Sequence, residues 1–203
     1  RDYLLSHPNA DVVNLGCGLD CTGRNCDNGS CKIYNIDLPD VIRVRNQLLP
    51  AGDREKNLAL DLNDPAWMAA IDSDPEDGTV LFAAGVFYYF QAEAVRTMVA
   101  AMSRRFPGGR LVFDAAGKTA VKLMLKTCVK QADIQDVGAY FSVAHAKEEL
   151  GRWAENLKVS SRGYMQGYEK LEGFGIKPVH RLLAKIADGP LHLQIVGIDF
   201  DTK

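Results

Sequence analysis

The sequence predicts an α/β sandwich, in which a doubly wound sheet of about seven strands, mostly parallel, ends in an antiparallel hairpin at one edge. Three observations lead to this prediction. Apolar runs alternate with helical patterns five times between residues 11 and 114. The first run ends in a glycine turn and the second in an acidic residue. Two late strand patterns are joined by a long connection, which is typical of an antiparallel pair at a sheet edge.

The first half of the chain carries the alternating pattern. We predict strands at residues 11–15, 32–37, 57–62 and 110–114, with another that starts at 79 and leaves the sheet at 83–85. Helices are predicted at residues 3–5, 39–49, 64–71 and 91–106, and only a short one within the polar segment 20–30. Pro39 suits a first helical position, and Asp64 suits an N-cap. The inward apolar positions of the two longer helices would be Val41, Ile42, Val44, Leu48 and Leu49, and Ala92, Val95, Val99 and Met102.

The second half of the chain is less regular. We predict helices at residues 119–132, 144–157 and 178–187, and strands at 157–163 and 191–200. The first of these helices would turn Val121, Met124, Leu125 and Cys128 inward, and the second would run through Leu150 and Trp153. The chain is expected to form a single domain over residues 1–203, with a cofactor half at about 11–116 and a substrate or cover half at about 117–203.

Composition excludes several classes of partner. A hydrophobic content of 47% with 25% charged residues is ordinary for a globular protein. The net charge of −2 gives no electrostatic footprint for nucleic acid or a membrane surface. The longest apolar run, Val80 to Phe90, is about half the length that a membrane span needs. Nothing at the start resembles a signal peptide, so we expect a cytoplasmic protein.

Four of the five cysteines, Cys17, Cys21, Cys26 and Cys31, lie close together. A zinc site or disulfides are one interpretation. The gaps are three, four and four residues rather than the two-residue gaps of structural zinc sites, and no histidine is near. Free thiols in a reducing compartment are therefore the favoured interpretation, and no metal is expected.

The glycine turn and the acid after the second strand predict an adenosine site. Asp37 follows Gly16 by 21 positions, which is the order and spacing of a strand, glycine loop, helix, strand and acid that hold a ribose. The third glycine position of a dinucleotide-binding motif is Gly or Ala, whereas this chain has Cys21 there. Asp20 would repel a pyrophosphate but could face the cationic sulfonium or ammonium of S-adenosylmethionine. A glycine turn without a ligand is the structural alternative.

With these features the chain resembles the class I S-adenosylmethionine-dependent methyltransferases, whose fold is Rossmann-like. More narrowly, it is similar to the leucine carboxyl methyltransferase group, which includes polyketide O-methyltransferases. The resemblance covers residues 11–116. Its motifs are NLGCGLD (14–20), YNIDLPDVIRVRNQLLP (34–50), the Asp61-Leu62 pair, FAAGVFYYF (82–90) and GGRLVFDA (108–115).

The resemblance implies a role for each matching position. Gly16 and Gly18 would let the backbone pass under the methionine part of the cofactor. Asp37 would accept both ribose hydroxyls, and Asp61 would accept the adenine amino group beside the backbone donor of Leu62. Residues 83–85 would lie beside the sulfonium, where small side chains leave room. The implied cofactor-binding set is Gly16, Cys17, Gly18, Asp20, Asp37, Leu38, Asp61, Leu62, Ala83, Ala84 and Gly85, with S-adenosylhomocysteine as the product.

The acceptor side of the site is less specific in the sequence. The substrate-binding candidates are Tyr88, Tyr89, Asp114 and Tyr164, with Tyr168 in the same cover segment. Tyr88, Tyr89 and Tyr164 could equally be packing residues, and Asp114 could equally cap the next segment. His145 is better explained as a surface or capping residue, and His7, His180 and His192 show no partner pattern. No catalytic base can be assigned.

The chain departs from the family pattern in two places. The family's Glu-Gly-Val is Ala84-Gly85-Val86 here, so one acidic cofactor contact is missing. The family's N-terminal helical lid segment has no counterpart before the first strand, so we expect it to be lost or to precede residue 1.

The function predicted from these features is methyl transfer from S-adenosylmethionine to an oxygen, a carboxylate or a hydroxyl, of a small molecule. Two alternatives remain open: a non-catalytic module that binds an adenosyl ligand, and a nicotinamide-dependent oxidoreductase. A protein carboxylate as acceptor and the oligomeric state are also left open.

Overall fold

The computed structural model describes residues 1–129, 138–167 and 175–202. Its strands are β1 (Asp11–Leu15), β2 (Lys32–Asp37), β3 (Glu55–Ala59), β4 (Thr79–Ala83), β5 (Arg110–Ala115), β6 (Leu157–Gly163) and β7 (Gln194–Phe200). Its helices are α1 (Asp2–Ser6), α2 (Thr22–Asn25), α3 (Pro39–Leu48), α4 (Ala92–Arg105), α5 (Lys118–Met124), α6 (Ala146–Leu150) and α7 (Pro178–Asp188). Short 3₁₀ turns occupy Pro65–Ala70 and Phe87–Tyr89, and a π-helical turn, Leu125–Val129, follows α5.

The seven strands form a single sheet in the order β3-β2-β1-β4-β5-β7-β6. Strands β1 to β5 are parallel, whereas β7 is antiparallel to both β5 and β6. This arrangement confirms the predicted fold. The chain moves outward from β1 to β3 and then returns to the other side of β1 with β4. The carboxyl ends of β1 and β4 therefore border the crevice where ligands bind in doubly wound sheets.

Both faces of the sheet are covered in the centre. All five residues of β1 are buried. Because successive side chains of a strand point to opposite faces, Val13 and Leu15 join the large core that contains Trp67 and Phe113, while Val12 packs with a smaller cluster on the other face. Burial on both faces makes the position of the β1 end, and of the loop after it, rigid.

The apolar stripe predicted for the helix after Pro39 is confirmed at Ile42 and wrong at Val44 and Leu48. Ile42 of α3 is buried, whereas Val44 and Leu48 are 42% and 62% exposed and Arg45 is 1% exposed. The reason is that Arg45 bonds two loop carbonyls and an asparagine on the inner side of the helix. In α4, likewise, Ala92 is exposed and Met98 takes an inward position with Val95, Val99 and Met102.

Three other predicted boundaries shift. The third strand starts at Glu55 and ends at Ala59, because its parallel register with β2 runs from Ile33 opposite Glu55 to Asp37 opposite Ala59. The helix predicted at 144–157 is confined to α6, which ends at Leu150 before Gly151. Strand β7 starts at Gln194, since His192 has a φ of +52°, outside the extended range.

The helix predicted at 119–132 begins at Lys118 and changes to π-helical geometry at Leu125. Val121 is buried as expected. The side chain of Cys128 and the helix beyond residue 129 lie outside the part that the structure describes. Of the cysteines whose side chains are described, Cys17, Cys21, Cys26 and Cys31 are all free thiols. Every helix in the described ranges is too short or too polar to cross a lipid bilayer.

Asp11, the first residue of β1, is a buried carboxylate at 2% exposure. Within the described residues its Oδ1 has no hydrogen-bond partner. Burial raises the pKa of Asp11 from 3.8 to about 6, although the nearby Lys32 opposes the shift. The folded state therefore binds this proton more tightly than the unfolded chain, and its stability falls as the pH rises from about 4 to about 6.

We predict that Asp11→Asn stabilises the protein at pH 7 and not at pH 4. At pH 7 the gain should be about 2–3 kcal/mol, since a shift of one pKa unit corresponds to about 1.4 kcal/mol. At pH 4 the aspartate is itself protonated in the folded state, so the two proteins should be equally stable. Urea unfolding of both proteins at the two pH values measures this difference. An equal gain at both values would show that the charge of Asp11 is not the cause.

Candidate active site

A cavity of about 630 Å³ opens at the carboxyl ends of β1, β2 and β4, at the point where the strand order reverses. Two carboxylates, Asp37 and Asp61, are the charged side chains among its lining residues. Seven of the eleven residues predicted to bind the cofactor line this cavity: Gly16, Asp37, Leu38, Asp61, Leu62, Ala84 and Gly85.

The glycine loop approaches the β4 end very closely. Gly16 and Gly18 have φ values of +63° and +46°, which L side chains rarely adopt. A Cβ atom at Gly16 would lie 2.6 Å and 3.0 Å from the two γ-methyl carbons of Val86. Val86 itself lines the cavity. This wall can therefore keep its shape only because Gly16 has no side chain.

The carboxylate of Asp37 is fixed by two backbone donors. Its Oδ2 accepts from the Gly18 amide at 2.8 Å, and its Oδ1 accepts from the Leu38 amide at 2.8 Å. A carboxylate oxygen can accept two hydrogen bonds, so each oxygen keeps one acceptor position. Asp37 can therefore hold a pair of neighbouring hydroxyl groups while it remains bonded to the loop.

Asp61 lies beyond the end of β3, in a turn of its own. Its Oδ1 accepts from both the backbone amide and the side-chain amide of Asn63, each at 2.9 Å. The Leu60 amide donates to the Asp37 carbonyl at 2.9 Å, which ties this turn to the end of β2. Both bonds from Asn63 are to Oδ1, so the second carboxylate oxygen of Asp61, Oδ2, keeps its acceptor positions with respect to Asn63.

The other four predicted cofactor residues do not line the cavity. Cys17 and Ala83 are 1% and 2% exposed, and burial raises the pKa of the Cys17 thiol to about 11. Gly18 contributes its amide to Asp37. Asp20 uses Oδ1 to accept from the amide and the hydroxyl of Thr22, at 3.1 Å and 2.8 Å, at the start of α2. The structure thus gives Asp20 a capping role that does not require a ligand.

The acceptor candidates divide into two groups. Tyr89 is 44% exposed and lines the cavity. Tyr88 is buried, and burial together with the neighbouring Asp114 carboxylate raises its pKa, so it stays protonated. Asp114 accepts from the Gly85 amide at 2.6 Å. Tyr164, which is 50% exposed, donates its amide to the Leu193 carbonyl and does not line the cavity.

Tyr88 and Asp114 consequently form a brace behind the loop after β4 rather than a wall of the cavity. The brace fixes Gly85, whose φ is +69°, and with it the wall formed by Ala84 and Gly85. A buried, protonated tyrosine cannot serve as a general base. This pair is therefore suited to hold the wall in place.

The remaining candidates lie away from the cavity lining. His145 is the exposed N-cap residue of α6, as expected for a capping residue, and its ring lies 5.2 Å from that of His192. Tyr168 lies outside the described residues. None of the residues that the structure describes form a group of three or more His, Cys, Asp or Glu side chains that could hold a metal ion.

The sequence analysis did not predict several residues that line the cavity, nor the residue that holds the glycine loop. The missed lining residues are Leu60, Asn63, Val86, Phe90, Gln91 and Ala94. The pattern Asp61-x-Asn63 is a turn signal that could have indicated Asn63. Arg45, buried beneath the glycine loop, had no such signal, because a helix pattern places apolar residues inward.

Comparison with known proteins gives the family. Residues 3–103, about half of the chain, match the family model described as leucine carboxyl methyltransferase. The chain is 30% identical over 115 residues to the tetracenomycin polyketide synthesis O-methyltransferase TcmP of Streptomyces glaucescens, across 56% of this chain and 42% of TcmP. The resemblance to this group is thereby confirmed.

A second relative, from Mycobacteroides abscessus, is provisionally named an S-adenosyl-L-methionine-dependent methyltransferase. It is 32% identical over 113 residues, across 51% of this chain and 37% of that protein. The chain thus spans less than half the length of both curated relatives. A solved structure from Thermobifida fusca, provisionally assigned as a methyltransferase, has a TM-score of 0.67 at 16% identity and covers 99% of this chain and 77% of that one. This likeness shows the shared fold.

We predict that Gly16→Ala destabilises the protein mainly through its contact with Val86. The positive φ alone should cost about 1–2 kcal/mol, and overpacking against the two methyl groups should add about 1–3 kcal/mol. In a Val86→Ala background the second cost should disappear. Urea unfolding of the two single variants and the double variant gives the coupling energy. Additive effects would mean that Val86 moves aside without cost.

Proposed function

We propose that this chain, a leucine carboxyl methyltransferase family protein over residues 3–103, binds S-adenosylmethionine in the cavity and transfers its methyl group to an oxygen of a small molecule. One observation carries this proposal. The cavity at the switch point is lined by two carboxylates, and none of its lining residues is Lys, Arg or His. The proposed division into a cofactor half at about residues 11–116 and a cover half at about 117–203 follows from it.

The charge of the cavity favours this cofactor over a dinucleotide. Asp37 fits either cofactor, because dinucleotide sites also hold the ribose with an acid after the second strand. Asp61 adds a second negative charge, and without a lining cation this charge disfavours a pyrophosphate. The same charge attracts the sulfonium and ammonium groups of S-adenosylmethionine. The position that a dinucleotide fingerprint reserves for its third glycine is Cys21, the residue just before α2. A nicotinamide-dependent oxidoreductase is therefore disfavoured.

The proposed contacts follow from the geometry of the lining residues. Asp37 would accept the ribose hydroxyls, since each of its oxygens keeps an acceptor position. Asp61 and the backbone of Leu62 would bind the adenine ring. Gly16 and the wall formed by Ala84 and Gly85 would lie along the methionine part, because these three residues carry a methyl group or no side chain.

The bound cofactor would supply a methyl group on a cationic sulfur, which leaves readily in an in-line displacement. The chain contributes orientation and the exclusion of water. Tyr89, at the exposed rim of the cavity, is placed to contact an acceptor, while the Tyr88–Asp114 brace holds the Gly85 wall against which the acceptor would approach. A carboxylate acceptor is already ionised and needs no base, whereas a hydroxyl acceptor gains from one.

We predict that Asp37→Ala abolishes binding of S-adenosylhomocysteine. The wild-type protein should bind it with a dissociation constant in the micromolar range, and loss of the bidentate carboxylate should weaken binding by about 100-fold or more. Asp40→Ala is the matched control, because Asp40 is a nearby exposed acid of α3 that pairs with Arg43. Isothermal titration calorimetry of the three proteins, with NAD in parallel, measures the effect.

Two results of this titration would overturn the cofactor assignment. One is a folded wild-type protein that binds neither ligand. The other is selective binding of NAD, which would favour the oxidoreductase. Equal loss of affinity in Asp37→Ala and Asp40→Ala would show that Asp37 has no specific role.

We further predict turnover with an oxygen nucleophile. Label from S-adenosyl[methyl-³H]methionine should move to a member of pooled small carboxylic acids, phenols or alcohols. Alkaline treatment then separates the classes, since methyl esters release methanol and methyl ethers do not. Binding without transfer to any pool would favour the non-catalytic module, to which the missing acid at Ala84 lends support.

A further inference from the structure

Arg45 is a buried cation directly beneath the glycine loop. It lies on α3 and is 1% exposed. Its Nη1 donates to the carbonyls of Gly18 and Asp20, at 2.9 Å and 2.8 Å, and its Nε donates to Oδ1 of Asn57 at 3.2 Å. None of the ion pairs in the described part of the chain includes Arg45. Its charge is therefore held by neutral oxygens, two of which belong to the loop.

The side chain of Arg45 belongs to a polar network that crosses the sheet. Asn14, Asn35 and Asn57 occupy matching positions on β1, β2 and β3. Their side chains are bonded in sequence, from Asn14 to Asn35 at 3.5 Å and from Asn35 to Asn57 at 3.0 Å. At the far end, Asn14 donates to the Asp20 carboxylate at 3.4 Å. The ring closes because Arg45 holds the carbonyl of the same Asp20.

This ring holds the loop through residues that do not line the cavity. A guanidinium that bonds two carbonyls of one loop restricts how that loop can rotate. The Gly18 carbonyl accepts from Arg45 while the Gly18 amide donates to Asp37, so both peptide groups of Gly18 are held. Asp37 lies just before α3 and Arg45 lies within α3, so one helix sets both the acid and the loop.

We propose that Arg45 is a positioning residue that presets the loop at residues 16–20 and the Asp37 carboxylate in the geometry that binds the cofactor. This inference rests on the proposed function. A loop that is ordered before binding loses less conformational entropy when the ligand arrives, and the gain appears as affinity. Lysine cannot replace Arg45, because a single ammonium lacks the planar fork that reaches both the loop carbonyls and Asn57.

The test compares Arg45→Lys and Arg45→Met with Arg43→Met. Arg43 lies on the same helix with its side chain 70% exposed, so it is the matched control. Calorimetry with S-adenosylhomocysteine should show affinity about tenfold weaker for both Arg45 variants, which corresponds to about 1.4 kcal/mol, and unchanged for the control. Asn57→Leu removes the Nε partner of Arg45, together with the bonds that Asn57 makes with Asn35 and Asn46, but leaves both bonds from Arg45 to the loop in place. It should weaken binding by a smaller factor, and it serves if the Arg45 variants do not fold.

Amide hydrogen exchange without ligand separates positioning from general stability. The Gly18 and Asp20 amides, which donate to Asp37 and to the Cys17 carbonyl, should exchange about tenfold faster or more in Arg45→Lys. The amides of β4 and β5 should keep their wild-type rates.

Three results would overturn the inference. Loop exchange and affinity within twofold of wild type would show that Arg45 does not set the loop. Exchange raised equally in the loop, β4 and β5 would show a role in stability alone. The third result is a wild-type protein that binds no S-adenosylhomocysteine, combined with faster loop exchange in the Arg45 variants. It would refute the proposed function and the cofactor role of Arg45, and Arg45 would then only order the loop.

Discussion

The hydrogen bond between the Gly18 amide and the Asp37 carboxylate, at 2.8 Å, joins the two parts of the site that the rest of the structure holds in place. It requires β1 and β2 to end at the same level, and their parallel register, with Leu15 opposite Ile36, provides this. The Cys17 amide extends the ladder to the Ile36 carbonyl at 3.0 Å. The site is thus a continuation of sheet pairing into a loop, which makes its geometry as firm as the buried strands beneath it.

The two sides of the cavity are held by polar side chains in addition to apolar packing. Beneath the glycine loop, Arg45 and the asparagines of three neighbouring strands form a closed network. Behind the opposite wall, Asp114 bonds the Gly85 amide beside the buried Tyr88. Apolar contacts would supply stability without direction, whereas hydrogen bonds of defined length select one loop conformation. This directional support sets the shape of the cavity.

Where the structure places a side chain differently from the sequence-based expectation, the cause is a polar contact. Val44 and Leu48 were expected inward on α3, yet the loop carbonyls of residues 18 and 20 draw Arg45 inward instead. Asp114 was expected to face an acceptor, and it braces Gly85 from the next strand. Asp20 was expected to face a ligand, and it caps α2. Helical periodicity weighs only apolar burial, so it cannot anticipate a buried hydrogen-bonded charge.

The sequence by itself determined the sheet and, for five of its seven strands, the bounds to within one residue. It also placed Gly16, Asp37 and Asp61 at the carboxyl edge of the sheet, where they line the cavity. These follow from local signals: apolar runs set the strands, and glycines and acids at their ends mark the crevice. Only the tertiary structure decided that Arg45 lies under the loop and that Tyr88 and Asp114 lie behind the wall. The physical reason is that each of these roles depends on partners far along the chain, whose distance and direction are set by packing and strand register.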